Sequence, residues 1–370
     1  MTSPNPDETT RAGMGRRSFL ARAAALGAGV AAGAAARADG AEVKLEHRNT
    51  QPGVVYRRLG RTNLAVSALG FGGVVLSPER MPAFEAAVKR GVNFIMAHGG
   101  KCTEALGPWL RKPGNRDRIF LGLASGARNI DSALQALGTD HVDLLMVPIH
   151  SVKPVPDEGL AKAFDALRKA GKARFLCLVT HANVPAVWKK GLEVGWFDVI
   201  LPTYNWPSRN DLKPLVAETR KKDVGLLAMK TLNGLPKGRD AVATWKTFLD
   251  DGIAAIIKGM TDPKQVADYI RIATKGDKTA ASHQIDCSGQ CALCGRCEAC
   301  PQGVAIQDIL LTWQYYGQQL QWTDVARSRY SAIPEAAQAT ACQDCGRCEL
   351  VCTRHLDVRR LLREAHDALA

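Results

Sequence analysis

Eight cysteines near the C-terminus stand at a rhythm that suits a metal centre. Cys291, Cys294, Cys297 and Cys300 form C-x2-C-x2-C-x2-C, followed by Pro301; Cys342, Cys345, Cys348 and Cys352 form C-x2-C-x2-C-x3-C. Thiolates are soft ligands that favour iron–sulfur clusters or zinc. Zinc ribbons pair two C-x2-C knuckles across a longer loop, whereas here the first four cysteines fall within ten residues. Disulfides give no reason for a two-residue rhythm. The spacing points to two [4Fe–4S] clusters. Cys287 is a ninth cysteine in the same tail, either a bystander or an exchangeable ligand. Cys102 and Cys177 read as unpaired cysteines of the main fold.

Two such runs resemble the two-cluster ferredoxin arrangement, in which the fourth cysteine of each run ligates the other cluster. That resemblance assigns Cys291, Cys294, Cys297 and Cys352 to one cluster. It assigns Cys342, Cys345, Cys348 and Cys300 to the other. Two departures stand out. The first run has two residues where bacterial ferredoxins have three. The second ends "CTRH" with no proline, so the turn after Cys352 is less constrained. Between the runs, "DILLTWQYYGQQL" and "PEAAQATA" read as helices that pad the clusters, and "VRRLLREAHDALA" as a closing basic helix.

The residues before this tail must position whatever the clusters serve. Eight short apolar runs recur from residue 66 to 258: "VSALGF", "VNFI", "IFLGL", "VDLLMV", "RFLCLV", "DVILP", "VGLLAM" and "AAIIK". They are near-continuous, as expected of strands buried on both faces. Amphipathic stretches at helical spacing separate them. Eight βα units make a closed parallel barrel the economical fold. An open doubly wound sheet is the rival, but no Gly-rich phosphate turn follows the first strand. Ahead of the barrel, "VVYRRLGRTNLAVS" reads as a small hairpin around Arg61-Thr62-Asn63. The expected class is α/β: a (β/α)8 TIM barrel with a small C-terminal ferredoxin-like iron–sulfur domain.

The fragments "VYRRLGRTNLAVSALGFGG", "AAVKRGVNFI", "EALGPWLR", "LGTDHVDLL", "GKARFLCLVTHA", "TYNW", "LLAMKTLNG" and "IIKGMTDPKQV" resemble the aldo-keto reductase barrel in order and spacing, over about residues 54–275. The subgroup with a ferredoxin-like C-terminal domain resembles the whole chain. The family resemblance implies hydride transfer between NADPH and a carbonyl. A tyrosine donates the proton, tuned by a lysine and an aspartate, and a histidine orients the substrate. A phenol that must give up a proton near neutral pH needs a nearby cation. Carried over position by position, the aspartate falls on Met96 and the lysine on Ala124. The histidine falls on Pro148, and the segment after Met96 is short and holds no tyrosine. A serine that would hold the nicotinamide amide falls on Val179. Groups that act as a unit are missing together, so ordinary NADPH-dependent carbonyl reduction is not expected, and NADP(H) should bind weakly or not at all.

Chemistry in barrels of this kind sits at the C-terminal strand ends. There the chain places His98 and Cys102, then His150, then Thr180-His181. These histidines could bind a metal or do acid–base work. Equally, His181 could belong to an ordinary "THA" turn and the others cap strand ends. Tyr204, Asn205 and Lys230 remain from the family pattern and suit either a pocket or structure.

The N-terminus carries Arg16-Arg17 before Ser18-Phe19-Leu20, an Ala/Gly-rich apolar stretch and Ala36-Arg37-Ala38. This order resembles a twin-arginine signal with a small-residue cleavage site. The run is too weak and short to span a membrane. The resemblance implies clusters assembled in the cytoplasm and export, to the periplasm or beyond, as a folded protein. Domains are expected at 1–38 (signal), 39–53 (linker), 54–275 (barrel) and 276–370 (iron–sulfur). The formal charge is +13, and about +11 without the five arginines and three acids of residues 1–40. Its lysines and arginines are scattered rather than striped, which argues against a nucleic-acid partner and leaves a redox partner protein. Two readings follow: an exported iron–sulfur oxidoreductase with a diverged barrel site, or a non-catalytic electron-transfer subunit with the barrel as a docking scaffold.

Overall fold

A computed structural model describes residues 43–124, 130–150, 158–236 and 238–370. The signal segment at 1–38 and the start of the linker lie outside the described residues. The first strands are β1 (Glu46–His47), β2 (Tyr56–Arg58) and β3 (Leu64–Ser67). They form a three-stranded sheet ordered β1-β3-β2, with β2 and β3 antiparallel. Eight further strands follow: β4 (Leu69–Gly72), β5 (Phe94–Ala97), β6 (Phe120–Ala124), β7 (Val142–Pro148), β8 (Ala173–Thr180), β9 (Val199–Pro202), β10 (Gly225–Ala228) and β11 (Ala255–Lys258). These close into a parallel barrel with helices between them. The chain thus has the (β/α)8 architecture read from its apolar runs. Among the described residues no helix is long and apolar enough to cross a membrane.

The run "VSALGF" does not form one strand. It is divided at Ala68 between β3 of the hairpin sheet and β4 of the barrel. Asn93 holds the division: its Oδ1 accepts from the Ser67 N–H at 2.8 Å, and its Nδ2 donates to the Ala65 carbonyl at 2.8 Å. A side-chain amide thereby satisfies backbone groups that a straight strand would pair with a neighbour.

The hairpin stoppers the N-terminal end of the barrel. Leu59, Leu64 and Val66 join the interior core of Phe94, Phe120 and Leu144. Gly60 at the hairpin bend has φ +49°, and a Cβ there would lie 2.2 Å from the Gly225 nitrogen, so only glycine lets the bend reach β10. Nearby, Asp143 is wholly buried at the base of β7. It accepts from Arg174 at 2.6 Å, Arg116 at 2.9 Å, Arg48 at 3.2 Å and the Leu121 N–H at 2.8 Å. Burial pushes its carboxyl pKa up, but Arg116 and Arg48 outweigh that and hold it below the ordinary carboxylate value.

The C-terminal segment shares the barrel's outer hydrophobic layer, with Leu293, Ile309 and Leu362 in the same core as Ile272. Helix Ile306–Leu310 runs directly into a π-helical stretch, Leu311–Gln319. Helix Val358–Leu369 buries Val358, Leu361, Leu362, Ala365 and Leu369, one stripe at helical spacing. "PEAAQATA" forms only two short 3-10 turns, Glu335–Ala337 and Ala339–Ala341, rather than a helix. Tertiary partners take its backbone: the Ala305 N–H donates to the Ala337 carbonyl at 2.9 Å, and the Ala339 N–H to the Tyr330 hydroxyl at 3.3 Å. The helix in this region lies earlier, at Thr323–Ser331.

Candidate functional site

The two cysteine loops are built alike. Both contain Cys-Gly-Arg-Cys-Glu, at 294–298 and 345–349. Both place a non-glycine residue in the left-handed region just before it, Leu293 at φ 55° and Asp344 at φ 51°. Both then use a left-handed glycine, Gly295 at φ 87° and Gly346 at φ 73°, to open one short helical turn.

Cys291, Cys294 and Cys297 line one cavity together with Cys352 from the second loop; Cys348, Leu310, Leu356 and Val358 complete the wall. Beside it, Cys300 and Cys348 line a second, shallower cavity with Cys297. Burial chiefly raises the Cys348 thiol, with nearby Glu349 and Cys342 adding to it, and Cys345 is exposed. The sulfurs of the first cavity are met by donors: the Leu293 N–H reaches Cys291 Sγ at 3.4 Å and the Leu356 N–H reaches Cys352 Sγ at 3.5 Å. The Thr353 hydroxyl lies 3.8 Å from Cys294 Sγ. Burial pushes the Cys291 thiol up to about 12 and raises that of Cys297 too, with neighbouring cysteines adding to the effect. Thiols in such a place become ligands only where a strong positive centre displaces their protons. Among the described residues, no three His, Cys, Asp or Glu groups are arranged to hold a single metal ion. Cys287 sits apart. It lines a different cavity with Gln290 and Gln314, and burial raises its thiol to about 11.

At the barrel mouth, Met96 and Val179 point into the apolar interior and are almost wholly buried. Ala124 ends β6 half-buried, and Pro148 ends β7 exposed. His150 and His181 stack, with ring centroids 3.9 Å apart at 29°. The His181 N–H donates to His150 Nδ1 at 3.5 Å, while His181 Nδ1 is buried without a partner. Burial lowers all three histidines. His98, also near Lys230, falls to about 4; His150 is lowered chiefly by burial; His181 falls well below its ordinary value, with His150 and Lys230 contributing. All three rings are therefore neutral at pH 7. Cys102 lies beside His98, accepting from its N–H at 3.4 Å.

Lys230 follows β10 in the left-handed region at φ 54°, a conformation that costs a non-glycine residue energy and marks sites held by their surroundings. Its ammonium donates to the Tyr316 hydroxyl and lies 4.4 Å from the Tyr316 ring centroid. Tyr316 comes from the π-helical stretch and is 2% exposed. Burial pushes its phenol up, but Lys230 and Arg329 outweigh it and hold it below 10. Lys258, at the end of β11, is 5% exposed, and burial and Lys230 lower it to about 8. Tyr204 is elsewhere. Its hydroxyl donates to Asp251 at 2.8 Å beside Arg209, in the layer between barrel and helices, and burial with Asp251 raises its pKa. Asn205 caps the turn Trp206–Ser208. Tyr316, Lys258 and Arg329 had no role in the sequence reading; the aromatic run "WQYYGQQLQW" was the available sign.

The two centres touch. A Cβ at Gly295 would lie 1.8 Å from Asn183 Oδ1, so the first cysteine loop rests directly on the turn after β8. Asn183 Nδ2 in turn donates to the His150 carbonyl at 3.0 Å. Asn233, three residues after Lys230, donates to the Cys291 carbonyl at 3.4 Å. Gln314, two residues before Tyr316, accepts from the Cys291 N–H at 3.0 Å.

No protein-family model matches this chain, and no curated protein matches it in sequence. Solved structures do. PA4992 of Pseudomonas aeruginosa, assigned to the aldo-keto reductases, matches at 25% identity and TM-score 0.51, over 59% of this chain and 94% of that one. The barrel is aldo-keto-reductase-like. Aldo-keto reductase AKR11C1 of Bacillus halodurans, in its holo form, shares the fold at 18% identity and TM-score 0.51, over 62% of this chain and 99% of that one.

Proposed function

We propose that this chain is an exported iron–sulfur oxidoreductase in which two [4Fe–4S] clusters exchange electrons with a diverged aldo-keto-reductase-like barrel mouth. Cys291, Cys294, Cys297 and Cys352 would hold one cluster, and Cys342, Cys345, Cys348 and Cys300 the other. The clusters supply single-electron transfer. The chain's own residues do the rest. The Leu293 and Leu356 N–H groups offset charge on the ligand sulfurs. Asn183 and Asn233 hold the first cysteine loop against the mouth, and the three histidines stay neutral there. That direct contact carries the proposal, since it puts the expected electron store beside the groups at the barrel's C-terminal end.

The test is iron and acid-labile sulfide analysis of protein purified without oxygen. About eight of each per chain are expected, with Cys291→Ser losing one cluster. Zinc without sulfide would reject the reading. For export, Arg16→Lys with Arg17→Lys should hold the precursor in the cytoplasm with its clusters intact; normal fractionation outside would remove that part. NADPH should bind weakly, because Met96, Ala124, Pro148 and Val179 replace the groups that the family resemblance requires.

The second reading, a non-catalytic electron-transfer subunit that serves a redox partner protein, is favoured by one observation. The Tyr316-bearing segment is seated over Lys230. Electron transfer to a partner with no turnover of any small molecule would support it.

A further inference from the structure

Lys230, Lys258 and Arg329 gather at the C-terminal end of β10 and β11 without acidic company. Lys230 and Arg329 both lie over the Tyr316 ring, at 4.4 and 4.8 Å from its centroid. The Lys258 ammonium lies 5.4 Å from the Trp322 ring, itself 6.3 Å from that of Tyr316. Among the described residues, no Asp or Glu forms an ion pair with any of the three. Asp308 is near enough to act on His150, yet it pairs with none of them. Elsewhere the chain matches its buried charge closely, as Asp143 with three arginines shows. A buried cation without a counter-ion is costly. Aromatic faces offset only part of that cost.

Arg329 Nε is buried with no hydrogen-bond partner, and so is His181 Nδ1. Lys258 is more than nine-tenths buried, with the Tyr269 and Trp322 ring centroids 5.9 and 5.4 Å from its ammonium. Buried polar groups are as a rule satisfied, and an orphan of this kind calls for a missing partner. A guanidinium presents its N–H groups as a fork that fits the oxygens of a carboxylate or phosphate.

We propose that Lys230, Lys258 and Arg329 form an oxyanion-binding site at the barrel mouth, which takes the carboxylate or phosphate group of a small ligand. The ammonium of Lys258 and the free edge of Arg329 meet the oxygens. Lys230, already donating to Tyr316, adds its charge. With Lys258 at about 8, the site keeps its positive charge at pH 7. One of the three cations, Arg329, comes from the C-terminal segment, so barrel and cysteine-bearing tail complete the site jointly. The inference does not depend on the clusters and stands or falls separately from them.

The experiment is thermal unfolding of the full-length protein, with iron content measured alongside, in inorganic phosphate, in succinate and in sodium chloride at matched ionic strength. Phosphate or succinate should raise the midpoint above the chloride control, and the one that does so identifies the group bound. Lys258→Met and Arg329→Met should each weaken the apparent affinity about ten- to a hundredfold, with iron content unchanged. Arg329→Lys should recover part of it. Arg329 is half-buried, so its variants keep a folded readout even if Lys258→Met does not fold. No anion-specific rise in the wild type, or a rise of equal size in both Met variants, would overturn the site.

Discussion

Replacing Gly295 and Gly346 with alanine, one at a time, separates what a cysteine loop needs for itself from what it needs to touch the barrel. The two glycines are equivalent in sequence and backbone, at φ 87° and 73°. An alanine in this left-handed region costs roughly 1–2 kcal/mol at either place. Around Gly346 a new Cβ meets nothing within 4 Å. At Gly295 it would lie 1.8 Å from Asn183 Oδ1 and 2.9 Å from Asn183 Cα, so the turn after β8 must move. Moving it strains two hydrogen bonds, Asn183 Nδ2 to the His150 carbonyl at 3.0 Å and the Asn183 N–H to Gln307 Oε1 at 3.3 Å. Each is worth about 0.5–1.5 kcal/mol. Gly295→Ala should therefore be less stable than Gly346→Ala by ~1–3 kcal/mol. At roughly 2–4 °C per kcal/mol that is a gap of about 2–12 °C in anaerobic thermal unfolding. Asn183→Gly removes the clashing side chain and keeps the left-handed turn, so it should shrink the gap. Equal midpoints for the two alanine variants would refute direct loop–barrel contact.

Asp143→Ala would leave Arg48, Arg116 and Arg174 facing an empty base, at a cost of about 3–5 kcal/mol, read as a fall in the denaturation midpoint. Because this carboxyl titrates lower in the folded chain than unfolded, its contribution is fully present above about pH 4 and is lost as pH falls below that. A variant as acid-sensitive as the parent as pH falls below about 4 would show that Asp143 is not the group responsible. For Tyr316, ultraviolet difference titration should find one of the six tyrosines ionising below 10. Tyr316→Phe should delete that step. Lys230→Met should move it upward, since burial then acts with less opposition. A step unmoved by Lys230→Met would mean that the ammonium does not set the phenol's acidity.

The barrel and the cysteine pattern were legible because both are local. A strand buried on two faces must be apolar along its length, and the runs at 142–147 and 174–179 coincide with β7 and β8 to within a residue. Cysteines that share a loop must keep short spacings, and the Cys-Gly-Arg-Cys-Glu repeat has one backbone solution in both copies. Met96 and Val179 were singled out by family position alone, and the structure sets both in the barrel's apolar interior. The mouth could not be read this way. Lys230 and Tyr316 are 86 residues apart, and nothing in either neighbourhood announces the other. The aromatic run at 313–322 reads as helix padding until the fold turns it over Lys230 and Lys258. Tyr204 shows the converse: family position suits a pocket or a structural role, and a bond to Asp251, at the end of helix Ala241–Asp251, draws its hydroxyl into the outer layer. Local periodicity determines which segments are strands and which cysteines share a loop. Only the closure of the barrel and the packing of the tail upon it decide which charges meet, because burial, and so the need for a partner, belongs to the assembled chain.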